Sequence, residues 1–429
     1  PGYGFLSENP KFAKLCEKKN IKFIGPSSRM IKRLGDKVEA KKGMRKYNVP
    51  VIEGIKEDLR SASQALKIAR KIGFPVIIKA SAGGGGKGMR IIIKEEDLSA
   101  AFETAQREAQ NAFGDNSVYI ERYIEEPRHI EFQILADRYG NVIHIGERDC
   151  SIQRRHQKLV EEAPSPALSN ELREAMGSAA VNAIKSIGYE GAGTVEFLLD
   201  KSRNFFFIEM NTRIQVEHGV TEMITNVDLV KEQIKLAEGA KLAYKQEDIK
   251  IEGHAIECRI NAEDPFNNFT PSPGTIVNYL PPGGPGIRIS SSAHTGYKIL
   301  PQFDSLIALL ICHGRTRHEA IARMKRSLDE FIIEGVKTTI PFHRAILNKR
   351  QFLRGNVTTS FIENNLIMEE LKEIKAAKET EKLPKEKQVL IETTPVSKYL
   401  ESKQSFNHKP NAWITAARQE SMNEGSFEE

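Results

Sequence analysis

The chain has 429 residues and a formal net charge of +6, and 40% of its residues are apolar and 28% charged. This length is sufficient for two or three domains, and the composition is that of a soluble globular protein. Lys and Arg are spread along the whole chain, which gives no indication of binding to nucleic acid or to a membrane but is compatible with an anionic small substrate.

The four cysteines, Cys16, Cys150, Cys258 and Cys312, are far apart and form no C-x-x-C pair. This spacing argues against a zinc site and against a disulfide framework. The longest apolar runs are too short to cross a bilayer, and we recognise no signal peptide. We therefore expect a protein of a reducing, cytoplasmic compartment.

The chain starts at Pro1 with a turn-rich stretch, followed by a predicted helix at 10–19 and a short predicted strand at 21–24. This pattern is typical of the last part of a larger α/β unit, so we expect the natural N-terminus to lie upstream. From residue 28 to residue 50 a helical pattern carries Lys37. A lysine in a Lys-rich helix is ordinarily exposed to solvent.

A glycine-rich segment at 81–88 follows a predicted helix at 57–72 and a strand at 74–79, and precedes a strand at 89–93. Backbone N–H groups of a glycine run can surround an anion such as a triphosphate. The segment joins strand to strand, and Met89 stands where a Walker motif requires Ser or Thr. We interpret it as a hairpin lid over phosphates, and the alternative is a flexible hairpin without a ligand.

Lys79 lies at the root of this lid and is a candidate phosphate ligand. After a predicted helix at 95–111 comes a strand at 118–124, and the non-strand residues that follow Glu121 could contact an adenine edge through their backbone. His129 and Glu131 lie on the next predicted strand.

Residues 153–158, with the sequence QRRHQK, concentrate cationic and amide groups between a predicted strand at 142–145 and the acidic pair Glu161 and Glu162. Such a cluster suits phosphate or bicarbonate. The alternative is a basic surface loop. A predicted helix at 169–187 follows.

Two apolar runs, 194–199 and 205–210, flank a polar segment and predict a β-hairpin. If Asp200 pairs with Phe205, Glu196 lies opposite Glu209. Two carboxylates in this arrangement repel each other unless a positive charge lies between them. A divalent cation is the natural candidate.

The second arm of the hairpin has polar residues at alternate positions, which places them on one face of a strand. These residues are Glu209, Asn211, Arg213, Gln215 and Glu217. Because Mg²⁺ takes carboxylate and amide oxygens alongside substrate phosphates, Glu196, Glu209 and Asn211 form the predicted metal set. Arg213 and Glu217 would hold and deprotonate an anionic substrate. The alternative is a solvated charged face.

A third section follows a predicted helix at 228–238. In the segment HAIECRINAEDP, alternation places Ile256, Cys258 and Ile260 on one face and turns Arg259 to the other, where it could enter a shared cleft. Further strands are predicted at 287–299 and 305–312, and a helix at 316–329. Residues 369–429 are charge-dense and poor in apolar residues, which predicts a linker or a disordered tail.

Several motifs occur in order: PGYGFLSEN, VIIKASAGGGGKGMR, ERYIEEPRHIEFQILAD, ERDCSIQRRHQK, FIEMNTRIQVEH and ECRINAEDP. Together they resemble the biotin carboxylase family over about residues 1–367. The resemblance implies an α/β (α+β) ATP-grasp fold. It also implies a truncated N-terminal pre-ATP-grasp domain at 1–35, an ATP-grasp domain at 36–245 with a mobile lid at about 50–125, a biotin carboxylase C-terminal domain at 246–367, and a tail at 368–429.

The resemblance implies that ATP and bicarbonate form carboxyphosphate, which delivers CO₂ to N1′ of biotin on a carrier protein. The implied cofactors are ATP, Mg²⁺ or Mn²⁺ at two sites, and biotin as the carrier-bound substrate. The implied partners are a biotin carboxyl carrier protein, a carboxyltransferase and a second copy of the chain. Acetyl-CoA is the default final acceptor, and propionyl-CoA or pyruvate are alternatives. Another ATP-grasp ligase and a non-catalytic nucleotide-binding fragment remain open.

The resemblance also assigns residues. For ATP these are Lys37, Lys79, Gly85, Gly86, Glu121, Arg122, Tyr123, Ile124, His129 and His156. For the metal they are Glu196, Glu209 and Asn211; for bicarbonate Lys158, Arg213 and Val216; for the base Glu217; for biotin Arg259, Tyr3 and Gly4. Arg213 is also implied to be the principal catalytic arginine, and Gln153 and Gln215 are further ligand-binding residues. The chain departs from the family pattern at Ala82, Lys87 and Gly219.

Overall fold

The computed structural model describes residues 2–4, 6–54, 58–81 and 88–373. The predictions for the glycine lid, including Gly85 and Gly86, and for residues 374–429 lie outside the described residues. The predicted tail boundary is wrong, because residues 367–373 are helical and Leu371 is buried in the C-terminal core.

The described strands are β1 (Val76–Ala80), β2 (Arg90–Ile92), β3 (Val118–Arg122), β4 (Arg128–Ala136), β5 (Val142–Arg154), β6 (Gln157–Ala163), β7 (Gly191–Leu199), β8 (Phe205–Asn211), β9 (His254–Asn261), β10 (Glu263–Asp264), β11 (Thr270–Pro271), β12 (Gly274–Thr275), β13 (Asn278–Leu280), β14 (Ile287–Ser291), β15 (Lys298–Ile299), β16 (Leu306–Gly314) and β17 (Ile332–Glu334). The described α-helices are α1 (Pro10–Lys18), α2 (Ser28–Gly35), α3 (Lys37–Lys46), α4 (Ala62–Ile72), α5 (Leu98–Phe113), α6 (Asn170–Ile187), α7 (His218–Thr225), α8 (Leu229–Glu238), α9 (Arg317–Glu330), α10 (Ile340–Asn348), α11 (Arg350–Leu353) and α12 (Phe361–Asn364).

An antiparallel sheet of eight strands, in the order β14-β16-β9-β6-β5-β4-β7-β8, runs through the molecule. Helix α6 packs on one face of its β4–β7 portion, where Phe132, Phe197 and Ile184 are fully buried. Strands β9 and β16 bury Ile256, Cys258 and Ile260 against α9 and α10, as the predicted alternation requires. All four cysteines are free and buried, so the structure agrees with the prediction that they form no disulfide framework.

A smaller sheet, β2-β1-β3, carries α4 and α5 and has its own core around Ile78, Ile120 and Phe102. Strands β1 and β2 are antiparallel neighbours, with Ile78 opposite Arg90. The glycine-rich segment therefore joins the two arms of a hairpin, as predicted. This small sheet stands over the edge of the large one and forms one wall of a cleft.

Two local predictions fail for reasons visible in the backbone. The helical pattern at 28–50 is interrupted at Asp36, whose Oδ1 accepts a hydrogen bond from Glu39 N at 2.9 Å and caps a new helix. Lys37 is therefore the first residue of α3. The predicted strand at 21–24 is absent, since these residues have no strand partner in the described structure.

The basic segment 153–158 is a tight hairpin and not an irregular loop. Strand β5 runs on to Arg154, which pairs with Gln157, and positive φ angles at Arg155 and His156 make the two-residue turn. Turns with two positive φ angles fit the twist of a hairpin. The turn projects the ends of β5 and β6 into the cleft.

The polar alternation predicted after Asn211 does not continue as a strand. Strand β8 ends at Asn211, and the backbone N–H of Thr212 donates to Glu8 Oε1 at 2.8 Å in place of a strand partner. The chain then turns through 212–217 before α7.

A glycine allows α6 to lie close to β5. A Cβ added to Gly177 would lie 2.4 Å from Nε2 of His144, and the edge-on contact of the His144 ring with Phe132 (5.4 Å between centroids) limits its movement. We expect Gly177→Ala to destabilise the fold by about 1–2 kcal/mol, because the overpacking cost exceeds the gain in helix propensity.

Chemical denaturation tests this expectation, with Gly35→Ala as the matched control. Gly35 ends α2, and a Cβ added there would have no atom within 4 Å, so alanine should be neutral or slightly stabilising. Equal stability of the two variants would contradict the proposed close packing of α6.

Candidate active site

A cleft of about 1080 Å³ lies between the small sheet, the β4–β8 part of the large sheet and the C-terminal region. It brings together most of the residues that the sequence predicted: Tyr3, Lys37, Lys79, Arg122, Tyr123, Ile124, His129, Gln153, His156, Lys158, Glu196, Glu209, Asn211, Arg213, Gln215, Val216, Glu217 and Arg259. Gly4 does not line the cleft, and Glu121 is buried behind its wall. A separate hollow of about 480 Å³ near Arg173 contains none of these residues.

The hairpin β7–β8 places Glu196 directly opposite Glu209, as predicted. The register at the turn differs from the prediction, because Leu199 and not Asp200 lies opposite Phe205. A β-bulge beside Glu196 then shifts the register back. Such bulges re-aim side chains locally and are common near functional sites.

Cations and amides surround the Glu196 carboxylate. Nε2 of His129 lies 2.8 Å from Oε2, Nζ of Lys158 lies 3.2 Å from Oε1, and the amides of Asn211 and Gln215 donate to Oε1 at 2.7 and 2.9 Å. Burial opposes ionisation, but the charges of Lys158 and His129 outweigh it and hold the pKa of Glu196 below its usual value. Glu196 is therefore an anion at neutral pH.

Three lysines pair with two glutamates along one wall of the cleft. Lys37 Nζ lies 2.9 Å from Glu209 Oε2, and Lys79 Nζ lies 3.1 Å from Glu121 Oε2. Lys41 also contacts Glu121, and burial lowers the pKa of Lys41 to about 8. Sequence reasoning missed Lys41, although its spacing of four from Lys37 puts both on one helix face.

The ammonium group of Lys158 is surrounded by three carboxylates. Nζ lies 2.6 Å from Glu131 Oε2, 2.7 Å from Glu217 Oε1 and 3.2 Å from Glu196 Oε1. Burial opposes the charge, but the three carboxylates raise the pKa of Lys158 well above its ordinary value. Glu131 was noted on its strand but not assigned to the site.

A row of charges crosses four neighbouring strands in register. Arg148 on β5 lies opposite Glu131 on β4, Glu131 lies opposite Glu196 on β7, and Glu196 lies opposite Glu209 on β8. The Arg148 side chain is fully buried, and its Nε donates to Glu131 Oε1 at 2.5 Å. The alternation of polar residues on each strand was visible in the sequence, but the pairing of the strands was not.

Arg259 connects two further carboxylates. Its NH2 donates to Glu217 Oε2 at 2.9 Å, and its Nε donates to Glu161 Oε1 at 2.7 Å. Burial opposes ionisation of Glu217, but Lys158 and Arg259 keep the pKa of Glu217 well below its ordinary value. The expectation that Arg259 enters the shared cleft is confirmed by this geometry.

Arg213 is held by the N-terminal segment. Its Nε donates to Glu8 Oε2 at 2.8 Å, and its NH2 donates to Asn211 Oδ1 at 3.2 Å. Glu8 also binds the backbone N–H of Thr212. Sequence reasoning missed Glu8, because nothing local indicates that a turn-rich start meets the end of β8.

The donor set Glu196, Glu209 and Asn211 fits a divalent cation. The two carboxylates face each other across the hairpin, and an amide lies beside them. The oxygens are hard ligands of the kind that Mg²⁺ prefers. In the structure as described, Lys37 and Lys158 neutralise these carboxylates, and both lysines have flexible stems that can turn toward phosphate oxygens.

The chain matches three protein-family models. These are the N-terminal domain of biotin carboxylase at residues 1–31, the ATP-binding domain of the carbamoyl-phosphate synthase L chain at 36–245, and the C-terminal domain of biotin carboxylase at 257–364.

Several proteins align in sequence with most of the chain. It is 57% identical to biotin carboxylase 1 of Bacillus subtilis (86% of this chain, 82% of that protein). It is 58% identical to a pyruvate carboxylase subunit of Methanothermobacter thermautotrophicus (85% of this chain, 74% of that protein). A similar solved structure is the biotin carboxylase domain dimer of the Hydrogenobacter thermophilus 2-oxoglutarate carboxylase, in complex with MgADP, ADP and bicarbonate. It matches with a TM-score of 0.84 and 54% sequence identity, and the match covers 86% of this chain and 81% of that one.

The fold and the site together define an ATP-grasp ligase, and the predicted fold class is confirmed. The chain belongs to the biotin carboxylase family.

Within the described ranges, no helix is long and apolar enough to span a membrane.

The backbone of Arg259 is fixed by a buried histidine. His343 Nε2 donates to the Arg259 carbonyl oxygen at 2.7 Å, and burial lowers the pKa of His343 from an ordinary value of 6.5 to about 4. Because the folded state favours neutral His343, the stability that this preference supplies is complete above pH 6.5 and is lost as the pH falls toward 4.

We expect the free energy of unfolding to fall between these pH values by up to roughly 3 kcal/mol through this one group. Urea denaturation of the wild type and of His343→Gln over this range measures the contribution, since glutamine keeps a donor for the carbonyl and does not titrate. Parallel curves for the two proteins would show that His343 is not the acid-sensitive group.

Proposed function

We propose that the chain carboxylates biotin on a separate carrier protein, using ATP and bicarbonate by way of carboxyphosphate. The observation that carries this proposal is that Glu217, an ionised and buried carboxylate, shares Lys158 with Glu196 of the candidate metal set. A base for bicarbonate and a site for the nucleotide phosphates therefore lie on opposite sides of one ammonium group.

At the nucleotide end, Lys37 and Lys79 contact the phosphates, and residues 121–124 with His129, Gln153 and His156 form the remainder of the ATP site. Glu196, Glu209 and Asn211 would hold Mg²⁺ or Mn²⁺, which would supply positive charge to the phosphoryl group. Catalysis of such transfer is mainly positioning and charge stabilisation. The lysines and carboxylates of the cleft supply both.

At the bicarbonate end, Glu217 accepts the bicarbonate proton, and Lys158, Arg213, Gln215 and Val216 hold the anion. Bicarbonate is a poor nucleophile until it is deprotonated, which requires a base within hydrogen-bond reach. Glu217 is available as that base because Lys158 and Arg259 keep it ionised. Glu8 fixes the Arg213 side chain from behind.

At the biotin end, Arg259 stabilises the negative charge that develops on the ureido oxygen, as a fixed guanidinium donor can. Tyr3 lines the cleft and contacts biotin, with Gly4 in the same turn. We also propose an N-terminal domain at 1–35, an ATP-grasp domain at 36–245 and a C-terminal domain that starts at 246.

We propose that the chain functions as the carboxylase component of a larger enzyme, as a homodimer, with carrier and transferase on other chains. The named relatives include a biotin carboxylase, one subunit of a pyruvate carboxylase, and a 2-oxoglutarate carboxylase domain that is a dimer. Acetyl-CoA is our first candidate for the final acceptor. Pyruvate and 2-oxoglutarate are the acceptors that the relatives' names offer as alternatives.

ADP release in the presence of Mg²⁺, ATP, bicarbonate and biotin tests the proposal. The wild type should require bicarbonate and should be stimulated by biotin. Glu217→Gln should lower kcat by about 10²–10⁴-fold, because it removes the base, while nucleotide binding is retained.

Glu232→Gln is the matched control, since Glu232 is a buried glutamate on α8, outside the cleft. Its kcat should equal that of the wild type. Wild-type ADP release that does not depend on bicarbonate, or full activity of Glu217→Gln, would overturn the proposed function.

A further inference from the structure

Two glutamates behind the cleft face each other across neighbouring strands. Glu161 on β6 lies directly opposite Glu257 on β9, and both are 0% exposed. Like charges in this arrangement destabilise a sheet, and their burial adds to the cost. Neither residue belongs to the site as the sequence predicted it.

The oxygens of this pair are poorly satisfied. Glu161 Oε1 accepts hydrogen bonds from Arg259, but Glu161 Oε2 and both oxygens of Glu257 have no hydrogen-bond partner within the described residues. A buried carboxyl group without a partner is retained in proteins as the neutral acid. The geometry therefore requires at least one proton on the pair.

The charges that face Glu257 come from three other elements and its own strand: Glu161 on β6, Glu217 before α7, Arg148 on β5 and Arg259 on β9. The neighbouring residue on β16 is the apolar Ile311. Burial and Glu161 raise the pKa of Glu257 well above its usual value, and burial raises the pKa of Glu161 to about 7. Burial and the neighbouring carboxyl group therefore favour the neutral form of Glu257 and the retention of a proton by the pair.

The pair is connected to Glu217 through one nitrogen atom. Arg259 NH2 lies 2.6 Å from Glu161 Oε1 and 2.9 Å from Glu217 Oε2. Two oxygens bound to the same nitrogen lie within reach of one bridging water molecule, through which a proton can pass between them. Glu217 is only 1% exposed, so few water molecules can reach the carboxylate that accepts the proton.

We propose that Glu161 and Glu257 form a proton-holding pair that takes up the proton which Glu217 removes from bicarbonate. This inference rests on the proposed function. The proton passes from the bicarbonate hydroxyl to the Glu217 carboxylate and then to the Glu161 carboxylate. The pair changes from one proton and one negative charge to two protons and no charge, Glu217 regains its negative charge, and only O–H bonds break and form. The proton leaves to water when products are released.

Glu161→Gln tests the pair, because glutamine cannot accept the proton that Glu217 passes on. We expect kcat for bicarbonate-dependent ADP release to fall about tenfold, the KM for ATP to stay unchanged, and the rising limb of the kcat–pH profile, near pH 7 in the wild type, to be absent. A wild-type limb together with wild-type kcat would overturn the proposal, and Glu232→Gln again serves as the control.

Infrared spectroscopy gives a second measurement that does not require turnover or a folded variant. The wild type at neutral pH should show the carbonyl stretch of a buried carboxylic acid, with a second acid titrating near pH 7. Absence of any protonated carboxyl group in the wild type would overturn the proton-holding pair. Loss of wild-type ADP release would instead count against the proposed function, because the infrared signal does not depend on catalysis.

Discussion

The arrangement of the site depends on one buried ammonium group that three carboxylates share. Lys158 contacts Glu131, Glu196 and Glu217, and its charge offsets part of the cost of burying three neighbouring carboxylates. The large sheet brings Glu131, Glu196 and Glu209 together, because the register of β4, β7 and β8 sets acid opposite acid. Arg148, which contacts Glu131, and Lys37, which contacts Glu209, offset the repulsion between these carboxylates.

This charge balance also explains how the cleft can serve two anionic substrates. On the β8 side, Lys37 and Lys158 neutralise the carboxylates of Glu209 and Glu196. A metal ion bound to these carboxylates would replace the lysines, which could then bind phosphate. On the β9 side, Arg259 is anchored at both ends. Its guanidinium lies between Glu161 and Glu217, and its carbonyl oxygen accepts from His343 and Thr339. A cation so firmly held keeps its position while charge develops next to it.

The sequence predicted the features that follow from local rules. Period-two alternation and turn residues predicted the β7–β8 hairpin and the pairing of Glu196 with Glu209, and alternation in β9 predicted which way Arg259 points. Contacts between distant segments were not predictable in this way. Glu8 meets Arg213 across 205 residues, and Lys41 meets Glu121 across 80. No periodic pattern in either segment specifies the partner, and the end of β8 at Asn211 follows from the Glu8 contact rather than from any signal of its own.

The central claim is that opposed carboxylates on the hairpin hold a divalent cation together with a nucleotide. Calorimetric titration of ADP, with and without Mg²⁺, measures this most directly in the wild type, in Glu209→Gln and in Glu232→Gln. We expect Mg²⁺ to strengthen ADP binding in the wild type and in Glu232→Gln, and we expect Glu209→Gln to lose this enhancement but to retain metal-free ADP binding. An equal effect of Mg²⁺ in all three proteins, or no effect in the wild type, would contradict it.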